Sequence, residues 1–324
     1  MPFSFTALPR PFFALAPMED VTDRVFRGLI ADLAPPDLFF TEFIAAQALA
    51  ARRRTTMAAL PFSEPERPIA AQIWGIEPEQ FYQAAVLLSE HGYDAIDINM
   101  GCPARKIIKK GACAGLIGNL SLTSELIHAT REGAAGRLPI SVKTRIGIEQ
   151  PVTEEWCGFL LEQNLDALTL HPRTAVQMSE GTADWQHVRT CVAIRDSMGS
   201  STVIIGNGDV QSLSHGRRLS QETGADGIMI GRGIFANPYF FDESRTPLRD
   251  CSRATKLSLA REHTRRFQAA YGSSRNFEIL KKFYKCYIVD FPGWEDDFRE
   301  LMQTHSYAEA YQLLDFWLES PEIS

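Results

Sequence analysis

From Pro11 to about Ile230 the chain repeats one pattern: a short apolar run, a turn, then a stretch with apolar residues at helical spacing. The runs at 12–16 (FFALA), 38–43 (LFFTEF), 69–74 (IAAQIW) and 94–98 (DAIDI) predict four strands. Those at 139–143 (PISVK), 166–170 (DALTL), 202–206 (TVIIG) and 226–230 (DGIMI) predict four more. None alternates cleanly between apolar and polar, as expected for parallel strands covered on both faces. Segments such as 79–91 and 122–135 carry an amphipathic helical spacing between them. Eight strands interleaved with helices predict an α/β fold, a (β/α)8 TIM barrel, over residues 1–245. A doubly wound open sheet is the alternative, but it usually has fewer strands. After Pro238 the pattern changes. Residues 253–320 carry no strand signal and read as several helices, with a turn at Pro292-Gly293. They predict a C-terminal all-helical domain over 246–324, joined through the loop-like 242–250.

Composition changes this picture little. With 324 residues, 45% hydrophobic and 23% charged, the chain can build its core without disulfides or a structural metal. The six cysteines form no CxxC pair, and their spacing suits no zinc site, so no metal is expected. No apolar run approaches the ~18 residues of a membrane span, and no signal peptide is visible. The expectation is a cytoplasmic monomer with no membrane partner. The net charge of -7 announces no nucleic-acid partner, so any such contact must be local.

In a TIM barrel the chemistry sits at the C-terminal ends of the strands. Those ends here gather Pro17 and Met18, Gln72, Asn99 to Pro103, Lys143 to Arg145, and His171 to Arg173. The last two carry Asn207-Gly208-Asp209 and Gly231-Arg232-Gly233. Glycine-rich turns after strands 7 and 8 are the usual phosphate site of such barrels, because bare backbone N–H groups approach an anion closely. That phosphate could belong to a substrate or to FMN. Lys143 ends an apolar strand, where an ammonium needs an anionic or strongly polar partner; the N1–O2 edge of a reduced flavin is one. Gln72, donor and acceptor at once, suits the O4–N3 edge of the same ring. Cys102 follows a glycine and precedes a proline, and a thiol with a reference pKa of about 8.5 is a competent general acid. The other cysteines read as inert buried thiols, with Cys113 set apart because it shares the glycine-rich loop of Cys102.

These residues resemble the tRNA-dihydrouridine synthases. The resemblance spans about 16–300 and is carried by APMEDVTDRVFR at 16–27, TEFI at 41–44, ERPIAAQIWG at 66–75 and DINMGCPARKIIKKGACAGLI at 97–117. It continues in SVKTRIG at 141–147, LTLHPRTAVQMSEGTADW at 168–185, GNGDV from 206 and DGIMIGRG ending at 233. It implies an FMN-binding barrel followed by a helical domain that helps hold tRNA, with NADPH as electron donor. By that resemblance Pro17 and Met18 meet the flavin, and Gln72, Lys143 and His171 bind its ring and ribityl edge. Asn207, Gly208, Asp209, Gly231 and Arg232 hold its phosphate, and Cys102 is the proton donor. Asn99 and Arg145 are the candidates for gripping the target uracil.

Two departures stand out. Cys113 occupies a position where glycine or another small residue is expected. The acidic balance also requires tRNA contact to be concentrated in Arg52, Arg53 and Arg54, in Arg105, Lys106, Lys109 and Lys110, or in Lys281, Lys282 and Lys285. An FMN-dependent small-molecule pyrimidine oxidoreductase of the dihydroorotate or dihydropyrimidine type is the competing enzyme reading. It leaves the helical domain and the basic loop after Cys102 unexplained. A third reading, a non-catalytic RNA-binding barrel, is the one an absent flavin spectrum favours.

Overall fold

The computed structural model describes residues 3–320. The expected runs become β1 (Phe12–Leu15), β2 (Phe39–Phe40), β3 (Ile44–Ala45), β4 (Ile69–Trp74) and β5 (Ala95–Met100). They continue as β6 (Ile140–Arg145), β7 (Ala167–His171), β8 (Val203–Asn207) and β9 (Gly227–Ile230). Every ladder is parallel, in the order β1-β9-β8-β7-β6-β5-β4-β2, with β3 also on β4. A bridge from Ala14 to Leu38 brings the ends together, supported by Asp37 N–H to Phe13 O (2.9 Å) and Leu15 N–H to Leu38 O (3.0 Å). The sheet is therefore an almost closed (β/α)8 barrel.

One strand departs from the expected run. Residues 38–43 are interrupted, and the register jumps from Phe40↔Ala70 to Ile44↔Ile73. Four residues advance on one side against three on the other, which is the count of a bulge. The side chain of Thr41 stands in for the ladder, accepting from Gln72 N–H at 3.0 Å and donating to Glu42 O at 2.6 Å.

Side chains alternate across a strand, so every second residue enters the barrel. Phe12, Ala14, Ala70, Ala95, Ala167, Val203, Ile205 and Met229 form the interior cluster, joined by Phe5 and Phe40. Four alanines leave room that phenylalanines fill. Two or four residues farther along these same strands stand Gln72, Asp97, Asn99, Thr169, His171 and Asn207, and on β6 Lys143 follows the buried Ser141 by two. The interior is apolar below and polar at its C-terminal end.

Outside, helix Pro78–Glu90 packs on helix Leu120–Ala134. Gly133 allows this, since any Cβ there would collide with the carbonyl of Tyr82. The chain divides into two compact units, with the barrel ending at Gly231 and the second unit combining Val25–Pro35 with the residues from Arg232 onward. The division thus precedes the loop-like 242–250 of the sequence reading. The second unit holds helices Arg253–Tyr271, Glu278–Tyr287, Trp294–Gln303 and Tyr307–Glu319. Ser252 and Ser306 cap two of them by accepting from Thr255 N–H and Glu309 N–H. Gly293, at φ 79°, makes the turn before a third. Phe26 packs on Phe283 with ring centroids 5.2 Å apart, joining Val25–Pro35 to this core.

Candidate active site

The polar end of the barrel is organised around Asp97, which the sequence reading passed over. The carboxylate of this fully buried side chain accepts from Gln72 Nε2 and from Ser141 Oγ, both at 2.6 Å. Burial lifts its pKa to about 6, against the hydrogen bonds from Ser141 and Gln72 and the charge of Lys143. Gln72 Oε1 in turn accepts from Asn99 Nδ2 at 2.8 Å. The Gln72 amide keeps one N–H and one lone pair beyond these bonds. Lys143 neighbours Asn99 and Thr169 in the sheet register. Burial, and secondly the charge of Arg145, lower its pKa to about 8 while Asp97 and Cys102 pull the other way.

Asn99 holds the loop that follows. Its Oδ1 accepts from the N–H groups of Gly101 and Cys102, both at 3.0 Å. Arg145 clamps the same loop through Nε to Gly101 O at 2.8 Å. Cys102 is partly exposed there. Its pKa is lowered to about 6, chiefly by the neighbouring Cys113 thiol; burial opposes the shift, and the Ala104 N–H, Arg145 and Lys143 add to it.

Arg145 also donates through Nη1 to Thr174 O (3.0 Å) and Met178 O (2.8 Å), so most of its guanidinium anchors the loop after β7. Arg173, 1% exposed, does the same for Glu180 O and Gly181 O and pairs with the Asp209 carboxylate. Asp209 also accepts from Ala183 N–H at 2.9 Å. His171 Nε2 lies 3.3 Å from Arg173 Nη1. Asn99 and Arg145, read from sequence as uracil contacts, are thus occupied chiefly in holding loops.

After β8 and β9 the backbone is bare. Gly208 has φ 152°, and a Cβ there would fall 2.8 Å from Ala183 Cβ. At Gly231 a Cβ would meet only Ala16 and the Met18 sulfur, each at 4.0 Å, so nothing in the packing demands glycine. Neither glycine N–H has a hydrogen-bond partner among the described residues. Pro17 is buried, and Met18 N–H is bonded to Thr22 Oγ1 at 2.9 Å. Asn207 Nδ2 donates to Met229 O at 2.9 Å. Arg232 opens the short helix Gly233–Ala236 and belongs to the second unit. Two cavities in the barrel unit, of about 380 and 440 Å³, are lined elsewhere: by Phe5, Leu165 and Thr202 among others, and by Ile117, Val152 and Trp156 among others.

The profile of the family described as Dihydrouridine synthase (Dus) matches residues 14–319. The chain belongs to the dihydrouridine synthase family. A protein named probable tRNA-dihydrouridine synthase from Staphylococcus aureus (strain COL) is 40% identical over 315 residues, covering 96% of this chain and 94% of its own. Probable tRNA-dihydrouridine synthase 2 of Bacillus subtilis (strain 168) is 38% identical over 312 residues, covering 95% and 94%. Among solved structures, morphinone reductase in complex with tetrahydroNAD aligns with TM-score 0.51 and 13% identity over 74% of this chain and 88% of that one. Histamine dehydrogenase from Rhizobium sp. 4-9 aligns with TM-score 0.56 and 13% identity over 78% and 48%. At such identity these two speak for the barrel alone.

As a dihydrouridine synthase the chain is an oxidoreductase, and its site holds more than the sequence reading found. Asp97 and Ser141 become legible only once the inward register is known, since they stand two residues before Asn99 and Lys143 on their strands. Thr169 gave no signal. Its fully buried hydroxyl, beside Lys143 in the register, lacks any hydrogen-bond partner among the described residues. The Lys143 ammonium likewise has neither hydrogen bond nor ion pair among them. An unpartnered hydroxyl and ammonium inside a barrel mouth, with two bare N–H groups at its rim, form a donor set suited to an anionic, polar-edged ring bearing one phosphate.

Proposed function

We propose that this chain is an FMN-dependent tRNA-dihydrouridine synthase, reducing the C5–C6 bond of selected uridines with electrons from NADPH. The observation that carries the reading is a partly exposed thiol, Cys102, fixed by Asn99 and Arg145 at the end of β5 and facing the Lys143 ammonium. The barrel, residues 1–245 of the sequence reading, is the catalytic part, and the helical residues 246–324 contribute to tRNA binding. We take the enzyme to work in the cytoplasm as a monomer.

Lys143, Thr169 and the remaining valences of Gln72 would meet the flavin ring, with Pro17, Met18 and His171 around it. The Gly208 and Gly231 N–H groups would receive its phosphate, with Asn207, Asp209 and Arg232 nearby in sequence. Bound there and reduced, such a flavin would be the source of the hydride that C6 of the uracil takes up. The target base must leave its stack to reach the barrel mouth. Cys102 gives its proton to C5, which leaves a thiolate, and the charges of Lys143 and Arg145 stabilise that thiolate until solvent returns a proton. Asn99 and Arg145 act on the base by setting where the Cys102 loop lies, and the Arg145 Nη2 is left to reach the substrate.

The test is Cys102→Ala in the purified, flavin-containing protein. NADPH-driven flavin reduction needs no thiol and should be nearly unchanged. Dihydrouridine formation in tRNA should fall by about 10²–10⁴, the usual loss for a positioned general acid. Turnover of free uracil or orotate in place of tRNA would overturn the reading in favour of a small-molecule enzyme.

A further inference from the structure

We propose that Trp185 is a positioning residue for the cofactor's phosphate: its indole holds Gly208 so that the Gly208 N–H is already aimed at the phosphoryl oxygens when FMN arrives. The inference deepens the FMN reading and rests on it for the identity of the ligand.

The loop after β7 is seated on the loop after β8. Trp185 Nε1 donates to Gly208 O at 3.0 Å. The same ring lies over Gly206, where a Cβ would fall 2.2 Å from Trp185 Cζ3. Gly206 belongs to the ladders of β8 with β7 and β9, so its missing side chain serves the indole and not the phosphate. Two residues before Trp185, Ala183 N–H donates to the Asp209 carboxylate at 2.9 Å, and a Cβ on Gly208 would fall 2.8 Å from Ala183 Cβ. Trp185 stands directly before helix Gln186–Ser197, which packs on β8, so a regular element carries the indole.

Gly208 needs such a hold. Glycine has the freest backbone of any residue, and Gly208 sits at φ 152° with Asp209 following at φ 51°. Both lie outside the regions that residues with side chains favour. On one side, the Asn207 backbone is in register with Met229, and its side-chain amide donates to Met229 O at 2.9 Å. On the other, the Gly208–Asp209 peptide is planar and trans, so fixing Gly208 O fixes the whole plane. With both flanking planes held, the Gly208 N–H, which has no partner among the described residues, keeps one direction. An N–H held before the anion arrives loses little backbone freedom on binding, which raises affinity. Riboflavin has the ring and ribityl chain of FMN without the phosphate, so its binding draws nothing from this N–H.

The experiment titrates the full-length protein, freed of flavin, with FMN and with riboflavin, following the quenching of flavin fluorescence. Wild type is compared with Trp185→Phe, Trp185→Ala and Gly206→Ala. Wild type should prefer FMN. Trp185→Phe keeps a ring over Gly206 and loses the donor. Its FMN-to-riboflavin affinity ratio should fall by roughly threefold to tenfold, the worth of one hydrogen bond, through weaker FMN binding alone. Gly206→Ala, which pushes the indole aside, should lower the ratio as well, yet add nothing when combined with Trp185→Ala. An unchanged ratio in Trp185→Phe, or equal weakening of both flavins, would overturn the proposal and leave Trp185 a packing residue. A wild type that binds both flavins equally would take the phosphate away from these N–H groups, and the FMN reading would fall together with the proposal.

Discussion

At the scale of single residues, Lys143 is the costly member of the site. Its pKa falls from an ordinary 10.5 to about 8 in the folded barrel, chiefly through burial. An unfolded chain therefore binds the proton more tightly than the native one between those values. The cost to folding is fully present below pH 8 and disappears as pH rises through 10.5, so this residue makes the flavin-free protein more stable in that window. At about 1.4 kcal/mol per unit, the cost near neutrality reaches up to about 3 kcal/mol. Lys143→Met should accordingly stabilise the flavin-free protein against urea at pH 7. The same substitution should weaken FMN binding, because it removes the cation from the ring's anionic edge. Wild-type FMN affinity should decline as pH rises through about 8, and Lys143→Met should lose that dependence. Isothermal titration with FMN between pH 6 and 9.5 checks it. A pH-independent wild-type affinity would place the ammonium away from the flavin.

At the scale of elements, the site depends on two buried guanidinium groups that hold the loop after β7. Arg173 is almost wholly inside, and its one ionic partner among the described residues is the partly exposed Asp209. Asp209→Ala leaves that charge buried without its counterion, a change that costs about 3 kcal/mol or more in comparable pairs. Lower thermal stability should come with faster proteolysis within 174–182, whereas Asp209→Asn, which can still accept from Ala183 N–H, should be milder. Unchanged stability in both variants would show that the loop is held by its other bonds. Loop architecture of this kind is hard to read in a sequence. The barrel itself is legible because eight apolar runs recur between helices, and the strand-end glycines mark the rim. The bulge after Phe40 is hidden because Thr41 replaces ladder bonds with its own side chain. Asp97 is hidden because one carboxylate in a short apolar run signals nothing until the inward register is known. Asn99 and Arg145 read as substrate contacts from their position, yet their bonds to backbone groups exist only once the loops have folded over them.

At the scale of the whole molecule, a chain of net charge -7 must concentrate any attraction for tRNA. The three basic runs are not equivalent. Lys281 is buried, 4% exposed, and donates to Thr304 O at 2.7 Å and to Glu278 at 2.9 Å, so it is removed from the RNA-contacting set expected from sequence. It holds two helices of the second unit together. Lys282 and Lys285 keep their places near the Phe283 and Phe235 rings, and Lys285 is exposed. Arg52, Arg53 and Arg54 are exposed, with Arg52 already 3.7 Å from Glu90. Arg105, Lys106, Lys109 and Lys110 are all exposed and follow Cys102 directly in the chain, which makes them the strongest claim on phosphates beside a flipped uridine. Reversing these four charges should weaken tRNA binding and reduce the slope of log affinity against log salt by about 3–4 units, close to one per lost phosphate contact. Reversing Lys282 and Lys285 should reduce it by about 2 units if both reach phosphate. Lys281→Glu should act differently, lowering the stability of the helical unit through a buried, misplaced charge while leaving NADPH-driven flavin reduction in place. Filter binding of tRNA at 50 to 300 mM salt, alongside thermal denaturation, separates these outcomes. An unaltered salt slope in the fourfold variant would move the RNA-contacting surface away from the Cys102 loop.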